Sequence, residues 1–387
     1  MVTAVQPLSA VPLPRAARVR HLGPHWYAAV MGTAIVALAG VALPGHVNGV
    51  PDVLAGVWAL SLVMLAVLLT ARTLHWIHHR DKARADLLDP AVVPFYGCLS
   101  MALLAVGGGA LTVGQRVIGT GTAVVLDAVL FTAGTAVGLG AAVAVPYLMA
   151  VRHHVEPAQA APAWLLPLVA PMVSAALGPL LVPHLPAGQP RETLLLACLA
   201  LFGLSLFASL LMLALVFARL LSGPLPLALT PTVFLVLGPL GQSTTAVGRI
   251  ADAAPGVVPA PYARGLGVFV MLYGVPVMGF ALLWLALATA HVVRGRRQGM
   301  GFTMSWWALT FPVGTCVTGA LALARHTGLV AYDGLAVGLY AVLTAAWLAA
   351  AAGTVRGLLS GELLAAPRTA PLAPRPGTGR TRSDAAR

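Results

Sequence analysis

The sequence has 387 residues, of which 59% are hydrophobic and 9% are charged, and its mean hydropathy is +0.89. So few charged side chains cannot cover the surface of a water-soluble protein of this length. The composition therefore excludes a soluble globular protein and predicts a polytopic membrane protein.

Apolar segments long enough to cross a membrane recur along the whole chain. A hydrocarbon core about 30 Å thick needs about 20 apolar residues per helix. This length predicts an all-α integral membrane protein with ten spans, at residues 25–43, 52–74, 95–113, 118–145, 164–183, 192–218, 229–248, 265–291, 301–323 and 329–353. The domains are then a cytoplasmic N-terminal tail (1–22), a transmembrane domain (23–360) and a disordered C-terminal tail (361–387) rich in Pro, Arg and small residues.

The basic residues orient these spans. If the N-terminus is cytoplasmic, 18 of the 23 Lys and Arg residues fall on inner segments and 5 fall on outer loops, as the positive-inside rule requires. We therefore expect a multi-pass protein of the plasma membrane with both termini in the cytoplasm. The formal net charge of +12 is then a topological signal with some attraction to membrane lipid, and we expect no nucleic-acid partner.

The odd-numbered spans open on aromatic residues at a regular interval. The anchors Trp26, Phe95, Trp164, Phe234 and Trp307 are separated by 69, 69, 70 and 73 residues, which predicts five helical hairpins of about 70 residues each. Aromatic residues also mark membrane interfaces without any repeat, which is the simpler interpretation. A cleaved signal peptide with its site at residues 37–39 is a further alternative, but it would remove one of five equal units.

The odd spans carry a series of prolines and glycines, and several hydroxyl residues lie on them. A proline inside a helix breaks the backbone ladder, and broken backbone at membrane depth is tolerated where protein or a water-filled cavity covers it. We therefore predict that the odd helices surround a central pore, although small residues also favour tight helix packing without a pore. The pore-lining candidates are Gly32, Thr33, Ser100, Pro171, Ser174, Gly238, Pro239, Thr310, Pro312 and Thr315.

Four segments on the odd spans resemble one known family. They are "GPHWYAAVMGTAIVA" (23–37), "PAWLLPLVAPMVSAALG" (162–178), "PTVFLVLGPLGQ" (231–242) and "SWWALTFPVG" (305–314). They resemble signature segments of the tellurite-resistance/dicarboxylate transporter family, which includes plant guard-cell slow anion channels, the yeast malate permease and the yeast sulfite efflux pump. The likeness covers about residues 23 to 355.

The resemblance implies a fold and a function. The fold has five hairpins with the odd helices around a pore and the even helices outside, commonly in a homotrimer of separately conducting subunits. The function is transport of small anions: inorganic anions, sulfite or C4-dicarboxylates such as malate. The phenylalanine that plugs the pore corresponds to Phe311. His25 stands where relatives more often have asparagine.

Several catalytic and binding chemistries find no support in the sequence. The only lysine is Lys82, so no Walker A loop exists, and we expect neither an ATPase nor a cofactor. The histidines of "HWIHH" (75–79) have metal-ligand spacing, but a solvated face beside Arg80 is the simpler interpretation and we expect no metal. We expect no enzyme, although a membrane-embedded enzyme is the alternative from another functional class.

Two residues carry sharper hypotheses. Asp127 is the one carboxylate well inside a predicted span. It is a possible proton site of a proton-coupled dicarboxylate carrier, or a structural residue hydrogen-bonded to a neighbouring helix.

Phe311 should lie about 15 Å into its span. Pro312 should bend the helix there by pressing on the Ala308 carbonyl, and the bend should turn the phenylalanine ring toward the pore axis. The predicted walls hold no Arg or Lys, so backbone amides, hydroxyls and the field of the cytoplasmic loops must attract the anion.

Overall fold

The computed structural model of the protein describes residues 20, 22–45, 49–153, 156, 159–361 and 363. These residues form helices and contain no β-strand. The ten principal helices are α1 (Tyr27–Gly40), α2 (Val50–His78), α3 (Tyr96–Gly109), α4 (Thr120–Leu148), α5 (Leu165–Leu177), α6 (Gln189–Leu221), α7 (Leu237–Ala253), α8 (Ala260–Arg297), α9 (Phe311–Thr327) and α10 (Val330–Leu359). The expected tails, 1–22 and 361–387, lie almost entirely outside the described residues.

The first predicted span differs from the other nine. Nine helical segments of the described chain are long and apolar enough to cross a membrane, and they coincide with the second to the tenth predicted spans. Helix α1 has only 14 residues, about 21 Å of helix, because it starts after the single turn Pro24–Trp26 and stops before a bend at residues 41–45. The multi-pass prediction is confirmed, whereas the count of ten spans is not.

Helices that are buried by other helices alternate along the chain with helices that are not. All 14 residues of α1 are buried, and the most apolar windows of α3, α5, α7 and α9 are 89%, 94%, 78% and 94% buried. The corresponding values for α2, α4, α6, α8 and α10 are only 33%, 17%, 28%, 22% and 22%. We call the first set the inner helices and the second set the outer helices.

The inner helices contact one another in a closed ring. Each packs against the next one in chain order, and α9 packs against α1. Every outer helix covers the groove between two inner neighbours: α2 contacts α1 and α3, α4 contacts α3 and α5, and so on to α10, which contacts α9 and α1. Lipid would therefore meet mainly the outer helices, while the inner helices meet protein on all sides.

Glycines bring inner helices to within backbone contact. A Cβ atom added at Gly241 of α7 would lie 2.5 Å from the amide nitrogen of Cys316 in α9. A Cβ atom at Gly97 of α3 would lie 2.5 Å from the carbonyl carbon of Leu166 in α5. Neither neighbour is a flexible side chain that could move aside, so these positions require glycine.

The inner helices are also irregular, and outer helices bond to the irregular regions. A π-helical turn (Ala110–Gly114) follows α3, Pro171 lies inside α5, and a 3-10 segment (Leu227–Val236) precedes α7. Within or close to these breaks, the Val106 and Val233 carbonyls accept hydrogen bonds from the indoles of Trp58 and Trp284, each at 3.0 Å. The Leu168 carbonyl accepts one from Ser205 at 2.5 Å. All three donors belong to outer helices, which thereby satisfy backbone groups that water cannot reach.

Candidate functional site

Phe311 is the first residue of α9 and is only 2% exposed. The preceding residues Met304–Leu309 form a 3-10 helix, and Thr310 joins the two segments with φ −94° and ψ −76°. The helix type therefore changes at Phe311, where the sequence suggested a kink within one helix. Pro312 lies in the first turn of a new helix, where its missing N–H costs no intrahelical hydrogen bond, so it starts α9 instead of kinking it.

A constriction surrounds Phe311. Phe311 and Pro312 line a cavity of only about 10 Å³, which is at the lower limit for a single water molecule. The other lining residues are Met31 of α1, Met101 of α3, Leu165, Leu166 and Val169 of α5, Leu235 just before α7, and Gly238 within it. Because all five inner helices or their leading turns contribute, the constriction lies in the middle of the ring.

A wider chamber adjoins the constriction on the side where the inner helices begin. This vestibule has a volume of about 240 Å³ and shares Met31, Leu166 and Leu235 with the constriction. Its wall is made mostly by residues that precede or open the five inner helices, including His25, Phe95, Thr232, Thr303 and Ser305. The ring of His25 meets that of Phe95 edge-on, with 6.1 Å between centroids. The vestibule therefore narrows to the apolar constriction at Met31, Leu166 and Leu235.

Two arginines lie at the opposite end of the inner helices. The sequence placed Arg249 and Arg325 in outer loops, and this assignment to loops was wrong. Helix α7 continues to Ala253 and α9 to Thr327, so both arginines lie on inner helices. Arg325 pairs with Asp252 at 3.0 Å, whereas Arg249 is partly buried and donates to the Ala176 carbonyl of α5 at 3.1 Å.

The predicted pore-lining residues fall into three groups. Gly238 and Pro312 line the constriction with Phe311. Three hydroxyls face outer helices: Thr33 accepts from the indole of Trp347 at 3.1 Å, Ser100 donates to the Gly134 carbonyl at 2.6 Å, and Ser174 accepts from Thr135 at 2.9 Å.

The remaining candidates pack between inner helices. Thr315 donates to the Pro312 carbonyl at 2.6 Å and lies against Gly241 of α7. Thr310 donates to the Trp307 carbonyl at 2.7 Å and closely approaches Gly32 of α1. Pro171 and Pro239 are buried. None of these residues contributes to the walls of the vestibule or the constriction, so a lining role for them stays a prediction.

Asp127 lies on the outer helix α4 and is 1% exposed. Its carboxylate faces α3, where a Cβ atom at Gly107 would lie 2.6 Å from Oδ1. Neither carboxylate oxygen accepts a hydrogen bond from any described residue. The hydrogen bond to a neighbouring helix, which the structural interpretation of Asp127 required, is therefore absent from the described part of the chain.

Comparison with known proteins extends over the whole helical region. A family model described as voltage-dependent anion channel matches residues 21–355. An uncharacterized transporter of Methanocaldococcus jannaschii is 28% identical over 351 residues, which are 89% of this chain and 96% of the relative. The sulfite efflux pump of Trichophyton rubrum is 27% identical over 350 residues, which are 88% of this chain and 92% of the relative.

Proposed function

This chain belongs to the voltage-dependent anion channel family, and on that premise we propose that it conducts small anions through a pore enclosed by its five inner helices and gated by Phe311. The observation that carries the proposal is the constriction, because all five inner helices or their leading turns meet around the Phe311 ring. We further propose that α1 counts as a tenth span despite its length, and that the chain forms five hairpins with both termini in the cytoplasm of a plasma-membrane protein.

Phe311 would act as an apolar plug. A ring held among methionine, leucine and valine side chains leaves no room for a hydrated ion, and an apolar constriction resists wetting even when it is slightly wider than water. Rotation of one side chain costs little compared with movement of whole helices. Opening would therefore require the ring to turn away from the axis into space freed by a small shift of its neighbours.

Anion preference would come from both ends of the pore. Five helices begin around the vestibule, and the N-terminal end of each carries a partial positive charge from its free N–H groups. At the other end Arg249 supplies a full positive charge on an inner helix. Both features attract anions without a tight binding site in the middle, and weak binding permits rapid exit.

The proposed substrates are inorganic anions, sulfite or C4-dicarboxylates such as malate. With the N-terminus in the cytoplasm, the vestibule faces the cytoplasm, so an anion leaving the cell meets the five helix N-termini first. A sulfite efflux pump among the relatives supports sulfite as the first anion to test. A homotrimer, common in the family, remains part of the proposal.

A proton-coupled carrier is the second candidate, because the Asp127 carboxylate is buried without a hydrogen-bond partner among the described residues. An ionisable group in that position is expensive to bury as a charge and can bind and release a proton. Asp127 lies on an outer helix, away from the constriction, which favours the channel over the carrier.

Current recording from purified protein in planar lipid bilayers tests the proposal. With an anion gradient and no pH gradient, we expect a current whose reversal potential follows the anion, in chloride, nitrate, sulfite and malate solutions compared in turn. Uptake into liposomes that occurs only with a pH gradient would establish the carrier instead. Absence of both current and uptake for every anion would contradict transport.

A further inference from the structure

The largest of the cavities described here lies outside the ring, on the lipid-facing side. It has a volume of about 570 Å³ and lies between the C-terminal half of α2, the starts of α1 and α3, and the short helix Arg80–Leu87. It shares no lining residue with the vestibule or the constriction. The conduction pathway therefore does not explain this cavity.

One part of the cavity wall is basic. Arg72, Arg80 and Arg84 contribute to it. Arg72 is buried and fixed by the Leu22 carbonyl, by the Tyr96 hydroxyl at 3.1 Å and by Asp86 at 3.8 Å. In contrast, the guanidinium groups of Arg80 and Arg84 are exposed and form no hydrogen bond or ion pair with described residues. Two unpaired positive charges thus lie beside a third that is already neutralised.

Apolar residues also line the cavity. Leu69, Ile77 and Leu99 line it, and Ile77 is 55% exposed on the outer surface of α2. Leu69 and Ile77 are eight residues apart on one helix, which corresponds to about 12 Å along its axis. Trp76 also lines the cavity, and amphipathic rings of this kind are favoured at the level of lipid headgroups.

We propose that this cavity binds an anionic phospholipid. The headgroup phosphate would lie between Arg80 and Arg84, and one acyl chain would run along Leu69, Ile77 and Leu99. The volume is far larger than a small inorganic anion needs. The apolar residues of the cavity include the exposed Ile77 on the outer surface of α2, so they suit an acyl chain better than a free ion. Arginine pairs with phosphate oxygens in a bidentate manner. Two unpaired arginines also favour a headgroup with a net negative charge over a zwitterionic one, whose cationic amine they would repel.

Such a lipid would touch inner helices directly. Tyr27 of α1 and Tyr96 of α3 both line the cavity, and Arg72 ties the Tyr96 hydroxyl to the chain just before α1. The bound lipid would therefore fill the space between α2 and the starts of two inner helices. Its expected effect is to stabilise the folded protein in proportion to its occupancy.

The test uses the full-length protein in detergent and two variants, each with two arginines replaced. One is R80Q/R84Q, and the matched control is R294Q/R297Q, which removes two exposed arginines from the end of the outer helix α8. Thermal unfolding is followed during titration with phosphatidylglycerol, phosphatidylcholine or inorganic phosphate, and native mass spectrometry counts the retained lipids.

We expect phosphatidylglycerol to raise the unfolding temperature of the parent and of the control, and R80Q/R84Q to lower its apparent affinity by about tenfold or more. Equal loss of affinity in both variants would mean diffuse attraction and would overturn the site. Stabilisation by inorganic phosphate but not by phosphatidylglycerol would mean a site for a soluble anion and would overturn it too. These readouts involve no ion flux, so they are independent of the outcome of the conduction experiment.

Discussion

The inner and outer helices invert the rule that holds in soluble proteins. Every outer helix is more apolar than any of the four inner helices long enough for comparison, although far less of its surface is buried by protein. Lipid solvates leucine and valine as well as a protein core does, so the most apolar helices belong on the outside. The inner helices are less apolar, and Gly97 and Gly241 bring them into backbone contact with one another.

The difference shows what holds the inner ring together. With no hydrophobic gain from moving an apolar helix out of lipid, association depends on close packing and on hydrogen bonds between helices. Gly97 and Gly241 permit close packing because they let helix backbones touch. Trp58, Trp284 and Ser205 provide hydrogen bonds from the outer helices to the backbone of the inner ring. Substitutions at the two classes of helix should therefore have unequal effects.

The largest effect is expected from Gly241→Ala. The added methyl group would collide with the backbone of α9 at Cys316, and overpacking against an immobile neighbour should lower the free energy of unfolding by about 3 kcal/mol. The matched control is Gly203→Ala on the outer helix α6, where a Cβ atom meets nothing within 4 Å. Unfolding in detergent followed by tryptophan fluorescence measures both. Equal stability of the two variants would contradict the account of inner packing.

A smaller effect is expected from Trp284→Phe. This change keeps an aromatic ring in a site that is 1% exposed but removes the donor to the Val233 carbonyl. Leaving a buried carbonyl without that partner should cost about 1 to 2 kcal/mol. Phe207→Leu on α6, at a side chain that is 70% exposed, should change the unfolding temperature very little. If both variants unfold at the parent's temperature, the outer tryptophans do not support the broken inner backbone.

The effect of a positive charge on anion conductance can also be compared between an inner and an outer helix. Arg249→Gln removes a charge from the inner helix α7, and Arg264→Gln removes one from the outer helix α8. We expect the first to lower anion conductance by about threefold, because a charge near the mouth of a narrow path focuses anions there. The second should leave conductance unchanged. The effect should shrink in concentrated salt, and equal conductance of both variants would remove Arg249 from the pathway.

The smallest effect is expected from Asp127→Asn. The amide has nearly the same shape as the carboxylate and lies on an outer helix, so anion current and its pH dependence should stay close to those of the parent. Liposome flux at several external pH values measures this. Loss of pH-driven uptake by a variant that folds normally would instead support the proton-coupled carrier.

The sequence predicted the helices better than it predicted which way their side chains face. Length and apolarity located nine spans, and the odd-numbered predicted spans, which were expected to surround the pore, correspond to the inner helices. The direction in which the hydroxyls of Thr33, Ser100 and Ser174 point was harder to predict, because protein covers these helices on every side and the sequence does not tell which neighbour a hydroxyl meets. Their hydrogen bonds to outer helices become visible only when the neighbours are known.

At Arg249 and at Pro312 the structure differs from the prediction for identifiable reasons. Arg249 was assigned to a loop because arginine usually ends a span, yet α7 runs four residues beyond it to Ala253. Pro312 was expected to kink a helix because the apolar run continues through it, yet a 3-10 segment precedes it and a new helix begins there. Apolarity alone does not distinguish a bent helix from two successive ones.

Conductance of Phe311→Ala tests the gate most directly. We expect basal anion conductance in lipid bilayers to rise severalfold, with Phe311→Leu between the alanine variant and the parent, because a smaller side chain leaves room for water in the constriction. Phe202→Ala serves as the control, since Phe202 is also buried but lies on the outer helix α6, and it should not raise conductance. A Phe311→Ala protein that elutes as a folded species and conducts no more than the parent would contradict a pore closed by Phe311.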